Sequence, residues 1–442
     1  MAISLSDHFT YKRLLRFTLP SMIMMVFTSA YGVVDGVFVS NFVGKTPFAA
    51  INLIMPVCML LGAFGFMVGT GGSALVSKLF GEGRNKDANK VFSLLIYLSF
   101  VVGCILAALG FIFARPISIA LGAEGEMLEC CVVYGRILSV GIVAFILQNE
   151  FQSFLVVAEK PKLGLFITVA AGLTNIVLDA LFIAILKWGL VGAALATTIS
   201  QIVGGIIPFV YFIFSKNSQL KLGGTSLDIR SVLLTFANGS SEMMTNLSLS
   251  IVNILYNFQL MRFIGEDGIA AYGVIMYVNF IFISIFIGYS IGSAPIISFH
   301  FGAKNSDEMK NLRKKSTVII FLASLLMFVL GLVLSKPLTN IFVGYDNELY
   351  ALTLRAFTIY SVSFLFVGYN IFISSFFTAL NNGLVSAVVS FLRVLFFEVV
   401  AVLMLPLIFD VDGIWLSVVL AEGVAMLMDM CVVFAFRKKY NY

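Results

Sequence analysis

Twelve long apolar runs, each closed by a cluster of charged or turn-forming residues, divide the chain. Their approximate limits are 14–41, 47–79, 91–114, 131–158, 164–186, 189–214, 231–263, 268–299, 316–338, 349–379, 384–408 and 413–436, numbered here as spans 1 to 12. A helix needs about 20 apolar residues to cross the hydrocarbon core of a bilayer. Every run reaches that length, and the longest must tilt, kink or project beyond the membrane. The pattern predicts an all-α polytopic membrane protein with twelve transmembrane helices.

Composition agrees with the pattern. Of the 442 residues, 60 % are apolar and 12 % charged, where a soluble domain carries about 25 % charge. Folded in water, such a chain has too little polar surface to cover itself, which excludes a soluble enzyme, a secreted module and a disordered chain. The 44 Phe and 37 Gly suit membrane helices, in which glycine is common. Cys58, Cys104, Cys130, Cys131 and Cys431 have no Cys-x-x-Cys spacing and read as small buried hydrophobes. His8 and His300 are the only histidines, too few for a histidine-built metal or catalytic site. Residues 1–16 are read as a cytoplasmic tail, with no small-residue cleavage site before span 1.

The basic residues orient the chain. With the N-terminus inside, the inner loops hold 20 Lys and Arg, and the outer loops hold five: Lys45, Arg115, Lys187, Arg262 and Lys336. That asymmetry places both termini in the cytoplasm and requires an even number of spans.

The chain also repeats itself. Shifted by half its length, Phe42 meets Phe263, Gly44 meets Gly265, Ala49-Ala50 meets Ala270-Ala271, Met55 meets Met276 and Val57 meets Val278. Further on, Gly71 meets Gly292, Ser77 meets Ser298, and Phe80-Gly81 meets Phe301-Gly302. Chance alone gives about three identities in a window of this length. The offset equals six spans, so the halves share one topology, related by a pseudo-two-fold axis along the membrane normal. The expected organisation is a six-helix lobe at 1–214, a cytoplasmic linker at 215–230 and a second six-helix lobe at 231–442. Two parallel bundles with a cleft between them suit alternating access.

Seven acids fall inside spans: Asp35, Glu150, Asp179, Glu242, Glu398, Glu422 and Asp429; so do Arg136, Arg355 and Arg393. An ionised group at mid-bilayer costs at least ~2.5–3.5 kcal/mol on insertion scales, so each needs a partner, a cavity or a proton. From the outer ends of their spans, Asp35 lies roughly 9 Å deep, and Asp179, Thr197 and Thr198 roughly 12 Å. Asn175 is one turn from Asp179 on the same face, and Tyr134 stands above them. Oxygen ligands of this kind suit Na⁺, and a carboxyl that is buried or close to a like charge suits a proton. A polar network that only packs the lobe is the plain alternative.

The remaining charges read more blandly. Arg393 and Glu398 pair with neighbours, Asp429 sits wet near the cytoplasmic end, Arg136 and Arg355 snorkel, and Glu242 on span 7 is a secondary candidate facing the cleft. At the repeat offset Asp35 meets Tyr256 and Asp179 meets Val400, so ion coupling is expected in the first lobe. Pro20 removes a backbone hydrogen bond from span 1 and is a candidate hinge. The glycines at 62, 65, 69, 71 and 72 read as close helix packing.

Several segments resemble the multidrug and toxic compound extrusion (MATE) antiporters, in the branch related to DinF and MepA. Thr18-Leu19-Pro20 and Val34-Asp35-Gly36-Val37-Phe38-Val39 are similar to that family's first helix. Ser73 to Gly83 and Ala294 to Ala303 are similar to its paired helix ends. Asn175-Ile176-Val177-Leu178-Asp179, followed by Gly192-Ala193-Ala194-Leu195-Ala196-Thr197, is the most specific match. The resemblance implies a first-lobe Na⁺ or proton site at Asp35, Asn175, Asp179 and Thr197, with Tyr134 and Asn149 as further members. Asn149 lies too deep for that group by residue count. Span 10 has Tyr360, Ser361 and Asn370 but no acid, which argues against the second-lobe aspartate of another branch.

The expectation is a plasma-membrane antiporter that exports cationic or amphipathic small molecules against Na⁺ or H⁺ influx. It would act as a monomer, with no cofactor beyond the coupling ion and no nucleic-acid partner. One alternative is a flippase for a lipid-linked saccharide, a class that often lines its cavity with arginines. An enzyme is not expected, since the spans offer no nucleophile–base or metal set.

Overall fold

In the computed structural model, which describes residues 3–215 and 218–442, the apolar runs are helices joined by short turns. Lys216 and Asn217 of the expected linker lie outside the described residues. The first lobe holds α1 (Tyr11–Phe42), α2 (Lys45–Gly81), α3 (Asn85–Ala120), α4 (Gly125–Val157), α5 (Pro161–Asp179) and α6 (Gly189–Phe214). A π-helical turn, Ala180–Ile185, continues α5. The second holds α7 (Ile229–Phe263), α8 (Glu266–Gly302), α9 (Ser306–Val343), α10 (Asn347–Ser361), α11 (Phe364–Ala379), α12 (Gly383–Phe391), α13 (Glu398–Met404) and α14 (Pro406–Tyr440). The π-helical turn Leu392–Phe397 joins α12 to α13.

Among the described residues ten helical spans are long and apolar enough to cross a membrane, and α10 with α11, bent by 46°, makes an eleventh. The 35-residue α7 completes the twelve. It is the most polar of them because serines, asparagines and Glu242 punctuate its apolar face. Several helices outrun the bilayer: the 38 residues of α9 reach about 57 Å.

Helix ends follow local chemistry. Thr10 caps α1 through the Arg13 amide, Asp228 caps α7, and Asp346 caps α10, each satisfying amides that have no partner within the helix. The linker runs extended along α3. The amide of Lys221 donates to Asn89 Oδ1 at 2.6 Å, and the Thr225 hydroxyl donates to the Lys90 carbonyl at 2.7 Å.

The lobes meet at the end of the bundle that holds the chain's N-terminal segment, through glycines pressed against backbone. A methyl group on Gly71 of α2 would collide with Thr235 and Gly239 of α7, and one on Gly239 with Met67. Gly81 sits against Phe299 of α8, Gly302 against Lys78 of α2, and Gly288 and Gly292 of α8 against Ser21, Met22 and Thr18 of α1. These contacts obey the internal repeat, in which Gly71 corresponds to Gly292 and Gly81 to Gly302.

The N-terminal segment crosses the same face. Ser4 Oγ and the Leu5 amide both donate to Glu159 Oε1 at 2.7 Å in the first lobe. His8 Nδ1 lies 2.5 Å from Glu308 Oε2, and the Phe9 amide donates to Glu308 Oε1 at 2.9 Å in the second. Leu5, Phe9, Leu14 and Phe17 are buried in the second lobe's core. The segment, read from sequence only as a cytoplasmic tail, straps the two lobes together.

Candidate functional site

The half of the first lobe away from the N-terminal segment brings four helices together around two carboxyls. Asp179 ends the α-helical part of α5, and its π-helical continuation widens the backbone next to it. It is completely buried, and among the described residues neither oxygen finds a hydrogen-bond partner. Asp35 of α1 approaches within hydrogen-bonding reach of it, and Asp35 Oδ1 is also buried and unpartnered among the described residues. Two carboxyls so close in a low dielectric repel when both are charged. They can share a proton or bracket a cation.

Three further groups surround the pair. Asn175, one turn before Asp179, is buried with Nδ2 unpartnered among the described residues. Tyr134 of α4 is 1 % exposed and lies within electrostatic reach of Asp35 and Asp179. Its phenol points toward Thr197 of α6, whose Oγ1 makes no aligned hydrogen bond among the described residues. Thr198 faces the other way, donating to the Ile137 carbonyl at 3.3 Å. Consecutive helical residues point about 100° apart, so Thr197 alone turns its hydroxyl inward. Buried polar atoms are normally partnered; this many orphans around two carboxyls make a site able to receive a small cation or proton.

Tyr31 is a member that the sequence reading missed. It precedes Asp35 by one turn on the same face, packs against Gly172 of α5 and lies within reach of Asp35. The Tyr-x-x-x-Asp spacing was the available signal.

Asn149 does not join the group. It is fifteen residues below Tyr134 on α4, about 22 Å along the helix, with its carbonyl against Gly69. Pro20 lies buried within α1, which runs unbroken past it. Glu242 is partly exposed on α7 and lies within electrostatic reach of Arg393.

The three arginines inside the spans each have a partner. Arg355 pairs with Asp412, Arg136 sits over the Phe111 ring at 5.3 Å, and Arg393 pairs with Glu422 at 2.9 Å. Asp429 corrects the sequence reading: it is completely buried, not wet, because α14 turns that face into the lobe and runs on to Tyr440 before it ends.

The MatE family model matches residues 20–181 and 243–403, most of each lobe. The chain belongs to the MatE family of membrane transporters. Multidrug export protein MepA of Staphylococcus haemolyticus is 26 % identical over 97 % of this chain and 94 % of its own. MepA of Staphylococcus aureus strain MW2 is 24 % identical over the same shares. The fold matches a MATE transporter solved in complex with MaL6, with TM-score 0.92 and 21 % identity over 98 % of each chain. It also matches an outward-facing multidrug resistance MATE family transporter of the MOP superfamily, with TM-score 0.91, 21 % identity and the same coverage.

Proposed function

We propose that this protein is an ion-coupled antiporter that exports cationic or amphipathic small molecules, as the names of its MepA relatives suggest. The observation that carries the coupling is the Asp35–Asp179 contact, in an outer half-lobe while the cytoplasmic face is closed. Na⁺ or H⁺ from outside loads the carboxyl pair, with Asn175, Thr197 and Tyr134 completing its shell. Loading changes the packing of α1 on α5, and because α1 also packs on α8, the change reaches the second lobe. The loaded and empty sites must favour different lobe arrangements for this to drive exchange. The working organisation is 1–214 and 231–442 as moving lobes, with 215–230 between them. The reading further places a monomer in the plasma membrane with both termini cytoplasmic. Pro20 remains the candidate hinge of α1, and Glu242 a residue facing the cleft.

The flippase alternative has little support. Its arginines would have to be free for anionic headgroups, whereas Arg355 and Arg393 are paired with acids and Arg136 covers a phenylalanine.

The test is efflux of a cationic dye from proteoliposomes under an imposed Na⁺ or H⁺ gradient, in wild type, Asp35→Asn and Asp179→Asn. Gradient-driven efflux lost in both variants supports the coupling site, and the effective gradient names the ion. Full efflux in both would make the carboxyl pair structural and overturn the proposal.

A further inference from the structure

The linker between the lobes forms one wall of a pocket that the ion-coupling mechanism leaves unused. Its sequence alternates, Leu220-Lys221-Leu222, and an extended chain turns successive side chains to opposite sides. Leu220 is completely buried, and Leu222 packs on the same core beside Phe212, so Lys221 is turned outward. Hydrogen bonds pin this wall to α3. The Lys221 amide donates to Asn89 Oδ1 at 2.6 Å, Asn89 Nδ2 donates to the Gln219 carbonyl at 3.2 Å, and the Gly223 amide donates to Ser93 Oγ at 3.0 Å.

Between the linker and the first turns of α3 lies a pocket of about 410 Å³, lined by Asn85, Lys86, Asn89, Lys90, Ser93 and Lys221. Among the described residues no acid lines it, and none of the three lysines is paired with a carboxylate. The acids of the same corner, Glu82 and Asp87, are held by Arg84 at 3.3 and 2.9 Å. Three like charges around one small space repel each other, and an anion between them removes that repulsion. The adjoining pocket toward α7 is different, because Glu82, Asp87 and Asp228 stand beside its bases. The basic pocket is also confined to one lobe: under the internal repeat, Lys86 and Lys90 correspond to Asp307 and Asn311.

The face of α3 that leads away from the pocket is apolar and uncovered. Lys86, Lys90, Ser93, Tyr97, Val101 and Ile105 follow at three- and four-residue spacing, which keeps them on one side of the helix. The Tyr97 hydroxyl donates to the Gly223 carbonyl at 3.2 Å, and tyrosine rings gather at the headgroup level of a bilayer. Beyond it, Phe100, Val101 and Ile105 are each about half exposed. Tyr97 to Ile105 spans about 12 Å along the helix, most of one leaflet's hydrocarbon depth of about 15 Å. A molecule with a negative head and a long apolar tail matches both the pocket and the stripe. A free anion would use only the pocket.

We propose that Lys86, Lys90 and Lys221 bind the headgroup of an anionic phospholipid whose acyl chain lies along Tyr97, Val101 and Ile105. Basic pockets beside membrane helices recognise such headgroups. The lipid bridges α3 and the segment that joins the lobes, and so holds that segment on the first lobe. This goes beyond ion-coupled export and stands without the Asp35–Asp179 pair.

The test is native mass spectrometry of the detergent-purified protein with phosphatidylglycerol, phosphatidylcholine or inorganic phosphate added, together with hydrogen exchange over residues 219–225. Wild type should bind phosphatidylglycerol more tightly than phosphatidylcholine, and exchange over the segment should slow when phosphatidylglycerol is bound. Lys86→Gln, Lys90→Gln and Lys221→Gln replace exposed side chains, so the fold is kept. Each should weaken phosphatidylglycerol binding by about fivefold, reduce the protection and leave phosphatidylcholine binding unchanged. Lys310→Gln, on the corresponding part of α9, should change none of these. Phosphatidylglycerol affinity unmoved by the three variants would overturn the proposal. So would an equal loss in Lys310→Gln, which would mark a general response to surface charge. Inorganic phosphate that displaced the lipid and slowed exchange by itself would make this a free-anion pocket, and would overturn the lipid assignment.

Discussion

Gly71 of α2 and Gly239 of α7 face each other backbone to backbone across the line between the lobes, with no room for a methyl group on either. The Gly292–Thr18 contact of α8 with α1 is their counterpart under the internal repeat. The closed end of the bundle is therefore built twice from one pattern. Helices approach this closely only when small residues occupy the contact.

Gly71→Ala and Gly239→Ala should each force the inner halves apart. Overpacking of this kind costs about 1–3 kcal/mol, and the cost falls only on the arrangement in which these helices touch, the outward-facing one under the proposed function. The expected result is a shift of roughly 5- to 150-fold toward the inward-facing arrangement. Spin-label distances across the two faces check it: the cytoplasmic distance should lengthen and the extracellular one shorten, with α-helix content unchanged.

Tyr134→Phe removes only the phenol that faces Thr197 and the carboxyl pair. A single hydrogen bond contributes about 0.5–1.5 kcal/mol. The apparent affinity for the coupling ion should therefore fall by about two- to tenfold, with maximal efflux nearly preserved. Dye efflux against ion concentration separates the two quantities. Loss of maximal rate with unchanged affinity would remove Tyr134 from the ion's shell.

The strap makes a local prediction. The amides of Leu5 and Phe9 donate to Glu159 and Glu308 respectively. Glu159→Gln should speed hydrogen exchange at Leu5 and leave Phe9 protected, and Glu308→Gln should do the reverse. Equal effects of both variants would mean that the segment detaches as one unit.

Asp228 supplies a pH prediction outside the membrane. The Ser231 hydroxyl donates to it at 2.7 Å, and the Ser231 and Arg230 amides donate to its other oxygen. The hydroxyl first, then the amides and the Arg230 charge, hold its carboxyl below the usual carboxylate range. The folded value is depressed, so the cap's contribution is complete above the unfolded value of about 3.9 and disappears as pH falls through the folded value. Asp228→Ala should cost about 0.5–1 kcal/mol at neutral pH. The difference from wild type should vanish in acid, as unfolding measured at both pH values would show.

Spans, repeat and family were legible because each is written in periodicity and motif. Depth along a helix is also readable, and Asp35, Asp179 and Thr197 were grouped by depth. Direction is not: adjacent threonines differ by about 100°, so depth left Thr197 and Thr198 equal and only the resemblance chose Thr197; α6 seen against α4 turns Thr198 to the Ile137 carbonyl. Lateral partners were harder still. Arg393 and Glu422 are far apart in the chain and meet only because α11, α12 and α14 pack together. Asp429 read as wet because its distance from the chain's basic end says nothing about which way its face turns. The strap was hidden by its polarity, since Ser4, His8 and Glu308 look like ordinary surface residues one at a time.

The π-helical turn after Asp179 has a consequence for how this sequence tolerates change. Such a turn holds one residue more than an α-turn. Deleting one residue from Ala180–Ile185 would close the stretch as α-helix with both flanks near their present orientation, because six residues of π-helix turn about as far as five of α-helix. Length is therefore more forgiving here than in a plain α-helix, where one deletion rotates everything beyond it by about 100°. A single-codon deletion in this stretch should keep Asp179 turned toward Asp35 and remove only the widened backbone beside it, whereas the same deletion a turn earlier in α5 should separate the two.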